Sequence, residues 1–531
     1  MNDLNTILKN VVHGRLSRRD AMQALAASGT GAVAAAALVD GAIGGALAEE
    51  PKSGGTLRVA STDSHAGDTM DPAKIIQNID IIRSGIIYET LVDYMPGVGL
   101  TPGLATSWEG NADATQWRLD LRQGVEFHNG KTMTAADVAY SFNRHLDPEV
   151  ASPANAYLGD VASFAADGDG TLVVTMKQSN ADVPYLLSEF HFTVQPEGEQ
   201  DYTVGAVGTG PWKLEEFDPG IVGTFVRHPN YWKEGRPYID EIETFGITDG
   251  GSRVNALLTG EADMIVQVDP SLIASVEGSA SGRVLSQPGG AHPTYPMLAN
   301  TAPYTDNNVR LALKHAVDRE RMLQLGFNGY GVVGRDHPIP QHDPFFAADV
   351  EALPQDPDKV KYYLKQAGME NASFELVASD ANFGGANASI AMAELMNEAG
   401  ANVTVKKVPS DGYWSAVWMQ APWCGSSWYG RPTADLMFSI AYFTGGAWNE
   451  SMWSNERFDS LVLEARQTTD TALRSELYRE CQIIMRDEGS SVIPVFTNWI
   501  DGYSSRVRNF QGHPYGFLGW MKWGDVWLAD A

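Results

Sequence analysis

Apolar side chains at Val309, Ala312, Leu313, Ala316 and Val317 in N-V-R-L-A-L-K-H-A-V-D-R-E-R-M-L recur at intervals of three and four, which predicts one strongly amphipathic helix from Asn308. The same period predicts helices over 358–367, 388–399, 455–468 and 472–487. Short β-rich runs predict strands over 56–60, 373–378 and 403–408, and the alternation between Trp108 and Arg122 reads as a strand entering a turn at Gln123 and Gly124. Thr134, followed three residues later by Asp137, marks the N-terminus of a helix through T-A-A-D-V-A-Y-S-F-N-R. Gly208-Thr209-Gly210-Pro211 is a turn cluster before a further strand pair. Strands alternating with helices imply βαβ units, so the fold class is α/β, with a mostly parallel sheet and more than one lobe. The first strand empties into the small polar loop S-T-D-S-H-A-G-D-T, a usual place for ligand contacts in open α/β sheets, and His65 in that loop is a candidate.

The pattern at the N-terminus is different. A paired arginine, Arg18-Arg19, is followed by an Ala-rich run from 24 to 39 that is shorter than the ~20 residues of a membrane span. Ala46 and Ala48 flank Leu47 as an A-x-A cleavage site, so residues 1–48 read as a removable export signal of the twin-arginine (Tat) type. No cysteine follows the apolar run, so a lipid anchor is not expected. No later stretch reaches ~18 consecutive apolar residues, and the expected location is periplasmic, as a soluble protein.

Charge narrows the function. The 531 residues carry 38 Lys plus Arg against 66 Asp plus Glu, a formal net charge of −28. No basic footprint for a polyanion exists, which argues against nucleic acid as a partner. Two cysteines exclude a disulfide scaffold, an iron–sulfur protein or a multi-cysteine zinc module. Cys481 shares a helical face with Leu473, Leu477 and Ile484 and reads as core; Cys424 lies in the Trp-rich stretch P-W-C-G-S-S-W, and their pairing is left open.

Catalytic signatures are missing or misplaced. Gly329 to Gly334 matches G-x-G-x-x-G but follows a helix, and reads as a flexible loop; a dinucleotide site needs the motif between strand and helix. G-V-E-F-H-N-G-K-T, with Lys131, misses the P-loop spacing by one residue, and neither H-E-x-x-H nor G-x-S-x-G occurs. His337 and His342 flank P-I-P-Q on an extended segment, a poor metal site. The chain reads as a binder that does no covalent chemistry, with no cofactor and no metal.

The informative region is aromatic. Trp414, Trp418, Trp423, Trp428, Trp448 and Trp453 are six of 14 tryptophans, interleaved with Tyr413, Tyr429 and Tyr442. Many fall in a Pro, Gly and Ser-rich loop, where bulky rings suit the lining of a cleft. Within W-Y-G-R-P-T-A-D, Arg431 and Asp435 stand four residues apart beside Trp428 and Tyr429. An opposite charge pair framed by rings suits a zwitterion, the carboxylate taking an ammonium and the guanidinium a carboxylate. The alternative for Asp435 is structural, in the first turn of a helix capped by Thr433.

Several stretches carry a resemblance: Y-E-T-L-V at Tyr88, L-A-T-S-W-E at Leu104, L-R-Q-G-V-E-F-H-N-G-K-T-M-T-A-A-D-V-A-Y-S-F at Leu121, G-T-G-P-W-K-L at Gly208, N-Y-W-K at Asn230, D-N-N-V-R-L-A-L-K-H-A-V-D-R-E at Asp306 and R-F-D-S-L-V at Arg457. Through them the chain resembles the family 5 extracellular solute-binding proteins of ABC importers, the dipeptide and oligopeptide-binding group. The resemblance implies a two-lobed flytrap: lobe one from residues 49–293, with about 96–204 as an extra subdomain, lobe two from 294–499, and a C-terminal segment, 500–531, returning to lobe one. It implies a hinge near Tyr295 to Asn300 and near Trp499, ligand burial on closing, and delivery to an inner-membrane ABC permease by a monomer. In peptide binders of the family an Asp after a Trp-Gly turn receives the ligand's ammonium, and Asp435 matches that position with one residue more in the turn. Dipeptide binders also carry an Arg for the ligand carboxylate, where this chain has S-D-A-N-F-G-G-A-N-A, with Asn382 and no Arg. Either Arg431 takes the carboxylate, or the ligand is another amine-bearing solute such as an opine, a polyamine-like amine or a longer peptide. The ligand contacts expected are Asp435, Arg431, Trp428, Tyr429, Trp423, Asn382, His65 and Trp499. The competing readings are a metal-chelate or haem receptor of the same fold, using His337 or His342, and a Tat-exported hydrolase.

Overall fold

A computed structural model describes residues 50–531 apart from 96, 97, 204 and 447. The export signal and its cleavage site, read over 1–48, lie outside the described residues. Among those described, no helix is long and apolar enough to cross a membrane.

The central strand of the main sheet is Thr56–Ser61, parallel to Glu241–Gly246 on one side and to Met264–Ile265 on the other. Antiparallel strands extend it outward: Val222–Arg227 and Trp212–Asp218 at one edge, Val495–Ser504 and Gly282–Pro288 at the other. The expected mostly parallel sheet is thus corrected. A parallel βαβ unit does form from Ser373–Ala378, Gly385–Glu398 and Asn402–Lys407. The main sheet is instead widened by a hairpin and by a strand arriving from the far end of the chain, and local periodicity carries no sign of either.

Alternation in Thr56–Ser61 puts Leu57 and Val59 on one face, against Ile82 and Ile86 of the helix Asn78–Ile87. Ala60 packs on the other face with Val254 and Leu257 of the helix Gly250–Thr259. Each Leu, Val or Ile side chain so removed from water contributes about 1.5–3 kcal/mol. A separate core forms under the antiparallel sheet of Ala105–Gly110, Gln116–Leu121, Thr171–Met176 and Val161–Asp167, covered by the helix Ala135–Leu146. Asp137 starts that helix as expected, its Oδ2 accepting the Thr134 N–H at 2.8 Å. Trp108 and Trp117 fall on two strands of this sheet rather than one.

The second lobe has two cores. Val309 and Leu313 pack with Leu376 and Met392 in one; Phe438, Phe458, Tyr478 and Cys481 pack in the other. The single helix expected from Asn308 is two, Asn307–His315 and Arg319–Phe327, because Asp318 caps a new start by accepting the Arg321 N–H at 3.0 Å. The glycine-rich run read as a flexible loop contains a strand, Gly331–Val333. Its glycines permit close backbone approach: a Cβ on Gly331 would lie 2.4 Å from Phe496 O, and one on Gly334 2.2 Å from Ile493 O.

The strand Val495–Ser504 belongs to both lobes. Val495 to Thr497 pair with Gly331–Val333, and from Asn498 onward the same strand pairs with Gly282–Pro288. The second crossing is made by His292–Pro296, which pairs antiparallel with Ser426–Trp428 and with Ser491–Val492.

Candidate functional site

A cavity of about 260 Å³ lies where these crossings meet. The first lobe contributes Ile76, Asn78 and Ile81 at the start of the helix Asn78–Ile87, Trp499 of the crossing strand, and the segment from Pro514 to Trp520. Tyr157, Glu189 and Phe190 come from the subdomain side; His342 and the turn Tyr429 to Pro432 come from the second lobe. The position of the helix follows from the polar loop before it: Asp63 accepts the N–H groups of Asn78 (3.2 Å) and Ile79 (3.0 Å). Asp68 in the same loop meets the fully buried Arg83 at 2.7 Å. The loop's carboxylates therefore organise the protein itself. His65 does not line the cavity; its Nδ1 accepts from Gly67 N at 2.8 Å and its side chain is exposed.

Aromatic rings form most of the wall. Tyr429 stacks on Trp499 across the lobe boundary, with centroids 5.9 Å apart and planes 4° apart, and meets Phe383 edge-on at 5.1 Å. The carboxylate at the wall, Glu189, is occupied. It accepts the His191 N–H at 2.8 Å and faces Nδ1 at 2.9 Å, while Nε2 of His191 faces Ile75 O at 2.9 Å. Burial works against a charged His191, but the Glu189 charge and hydrogen bond outweigh it and raise the pKa. Burial pushes His342 down to about 4, so that ring is neutral at pH 7.

Arg431 is the cation of the cavity. Its Nη1 makes only long contacts to its own loop, 3.4 Å to Tyr429 O and 3.5 Å to Gly430 O, and Nε is buried without a partner. Its guanidinium carbon lies 5.4 Å from the Trp428 ring centre. No carboxylate lies within ion-pairing distance of it among the described residues. A half-buried guanidinium without a counter-ion favours an incoming carboxylate.

The expected Arg431 and Asp435 pair does not form. Asp435 is buried, and both its oxygens accept from Arg466 Nε at 3.1 Å. It sits in the first turn of the helix Ala434–Ala441, which Thr433 caps through the Leu436 N–H, so the structural alternative describes it. Burial raises the Asp435 carboxyl against the pull of Arg466. Trp423 is also corrected: it is fully buried in the core with Leu376 and Met392 and lines no cleft. Trp428 is buried behind Arg431 rather than at the cavity surface, opposite His292 in its strand pair. Asn382 lies beside Gly425 with a buried, unpartnered amide nitrogen, and is outside the cavity wall. Of the eight residues expected, Arg431, Tyr429 and Trp499 meet at the cavity. His337 is completely buried and pushed down to about 3 by that burial. Sequence reasoning missed Phe190, Tyr157 and the C-terminal stretch H-P-Y-G-F-L-G-W, although its alternation of glycines and rings was visible.

Next to the cavity the lobes are joined by charge. Arg474 of the helix Thr471–Glu488 pairs with Asp182 on the subdomain side, both nearly devoid of solvent, and packs 4.6 Å from the Phe345 ring centre. Arg466 reaches Asp160 at 3.5 Å, and its carbonyl accepts from Ala181 N at 3.0 Å.

Residues 99–450 match the profile of the bacterial extracellular solute-binding proteins, family 5 Middle, which covers more than half of the chain. The chain belongs to the family 5 solute-binding proteins. It is 26% identical to heme-binding protein A of Haemophilus influenzae, with 84% of this chain and 88% of that protein covered. It is 25% identical to the dipeptide-binding protein of Escherichia coli, over 81% of this chain and 87% of that one. The PBP AgaA of A. tumefaciens R10, solved with agropinic acid, superposes with a TM-score of 0.72 at 22% identity, covering 89% of this chain and 99% of that one. The likeness extends over the lobes described above, and the relatives are binding proteins rather than enzymes.

Proposed function

We propose that this family 5 protein captures a peptide or a related amino-acid-derived solute, such as an opine, and presents it to an ABC permease after Tat export to the periplasm. The lobe boundaries read from the sequence, 49–293 with 96–204 as subdomain, then 294–499 and 500–531, are part of the proposal, as is a monomeric protein. The observation that carries the ligand class is Arg431: a half-buried guanidinium with a buried, unpartnered Nε and no counter-ion among the described residues, set among flat rings where two lobes meet. Arg431 takes the ligand's carboxylate, and the faces of Tyr429, Trp499 and Trp520 take its apolar or cationic part. With Asp435 held by Arg466, the ligand's ammonium meets rings and the edge of the Glu189–His191 pair instead of a free carboxylate. The cavity, about 260 Å³, is just below the ~300–1,000 Å³ typical of ligand sites, which suits a dipeptide-sized solute better than a haem.

Thermal shift of the exported protein against dipeptides, opines and amines tests this reading. A ligand at 100-fold excess over Kd stabilises by about 2.7 kcal/mol, and a panel without any stabilising member removes the proposal. Arg431→Ala should then weaken carboxylate-bearing ligands by roughly 10- to 100-fold, the range of a charge-assisted hydrogen-bonded pair at ~1.5–3 kcal/mol.

A further inference from the structure

A second cavity, about 490 Å³, lies on the other side of the C-terminal segment, within the first lobe. Two residues, Phe190 and Trp520, line both cavities. Their rings meet edge-to-face, 5.7 Å between centroids at 79°, and so form the partition between the two spaces. The chambers differ in character. Rings dominate the first, whereas Glu89, Asp93, Lys233 and Lys522 border the second.

The Trp520 ring is placed by an unusual piece of backbone. Leu518, Gly519, Trp520 and Met521 have φ of 50°, 61°, 54° and 54°, four successive residues in the left-handed region that L-residues rarely adopt. Tertiary contacts hold the turn in place: Asp501 Oδ2 accepts the Leu518 N–H at 2.5 Å, and Trp523 Nε1 donates to Leu518 O at 2.8 Å. A Cβ on Gly516 would come within 2.4 Å of the Trp520 ring, so a glycine lets the ring lie flat over the chain. Conformations of this kind persist where surrounding structure over-determines them, and here they set a ring between two chambers.

We infer that Phe190 and Trp520 are specificity-determining residues that set ligand length. Resting on the reading of the first cavity as the ligand chamber, the partition is the surface against which the far end of a bound solute stops. With the partition removed, the chamber opens into the larger, charged space, which suits the zwitterionic and polar groups of a longer peptide.

The test uses alanine peptides of two to five residues, titrated calorimetrically into the full exported protein. Wild type should lose at least tenfold in affinity at one step of the series. Trp520→Gly, which suits the left-handed φ, should displace that step by at least one residue and bind the longer peptides at least tenfold more tightly than wild type. Phe190→Ala should shift the step in the same direction, and it decides the matter if Trp520→Gly does not fold. Trp520→Phe, keeping a ring, should leave the step in place. A folded Trp520→Gly or Phe190→Ala with the wild-type length profile overturns the partition while leaving the chamber reading intact. Failure of both wild type and variants to bind any peptide overturns the length-setting partition, and failure to bind any dipeptide, opine or amine as well removes the chamber reading.

Discussion

Replacing Asp182 by alanine removes the carboxylate that neutralises Arg474 where the lobes meet. Both side chains are about 95% buried, and the guanidinium is otherwise held by Ala465 O at 3.1 Å, Tyr478 and the Phe345 ring. Loss of one member of a buried pair costs about 3–5 kcal/mol, because the remaining charge is stranded away from water. Here that charge has a way out: if the lobes separate, Arg474 is rehydrated. The cost therefore falls on closing, and so on ligand affinity, which depends on the population of the closed form. At ~1.4 kcal/mol per factor of ten, Kd should rise by roughly 10²-fold to a few thousandfold. Small-angle scattering should show a larger radius of gyration for the unliganded variant, and calorimetry with any ligand that stabilises wild type gives the ratio of Kd values. The double variant Asp182→Leu with Arg474→Met should recover most of the loss, since an apolar pair strands no charge. An Asp182→Ala protein with wild-type radius and Kd within threefold would show that the pair does not hold the lobes together.

Asp435→Ala strands part of the Arg466 charge inside the second lobe. It should lower that lobe's melting transition by roughly 6 to 20 °C, taking ~3–5 kcal/mol at about 2–4 °C per kcal/mol, while changing Kd no more than threefold; unchanged melting with lost binding would return Asp435 to the ligand. Burial raises the Asp501 carboxyl from 3.8 to about 7, with the Leu518 and Gln267 N–H groups pulling the other way. Its stabilising contribution is therefore complete below pH ~4 and is lost as pH rises through 7, on the order of 4 kcal/mol in all. Asp501→Asn should flatten the decline in Tm between pH 4 and 7, and an equal slope in both proteins contradicts the assignment. Cys424 and Cys481 are both free and buried, and burial lifts the Cys424 thiol to about 12. Thiol titration should give two reactive groups in denaturant and none in native buffer; a mass lower by a disulfide's two hydrogens would contradict this.

Features set by neighbours in sequence were legible in it. The Thr134 and Asp137 helix start, the βαβ unit ending at Lys407 and the core face of Cys481 depend on residues a turn or a strand apart. Asp435 was misread for the opposite reason. Its partner Arg466 stands 31 residues away on another helix, and no local pattern distinguishes a carboxylate awaiting a ligand from one already paired. The break at Asp318 was locally encoded, but the hydrophobic period ran through it and outweighed the cap signal. Tyr429 and Arg431 reach the cavity because their Pro and Gly-rich turn has no helix or sheet to bury them, whereas Trp499 reaches it from the crossing strand. Phe190 and Trp520 meet across 330 positions of chain, a juxtaposition that only the folded lobe creates.

The strand from Val495 to Ser504 links the mechanical fates of the lobes. Melting the sheet on either side frays the same ten residues, and the chain enters and leaves the second lobe through neighbouring strands. On the proposed boundaries the second lobe is an insertion into the first. It can be destabilised by its own mutations, but it cannot come apart without loosening an edge of the sheet that carries Trp499. A ligand bridging Tyr429 and Trp499 therefore clamps that shared strand, and it should draw two separate calorimetric unfolding steps together into one.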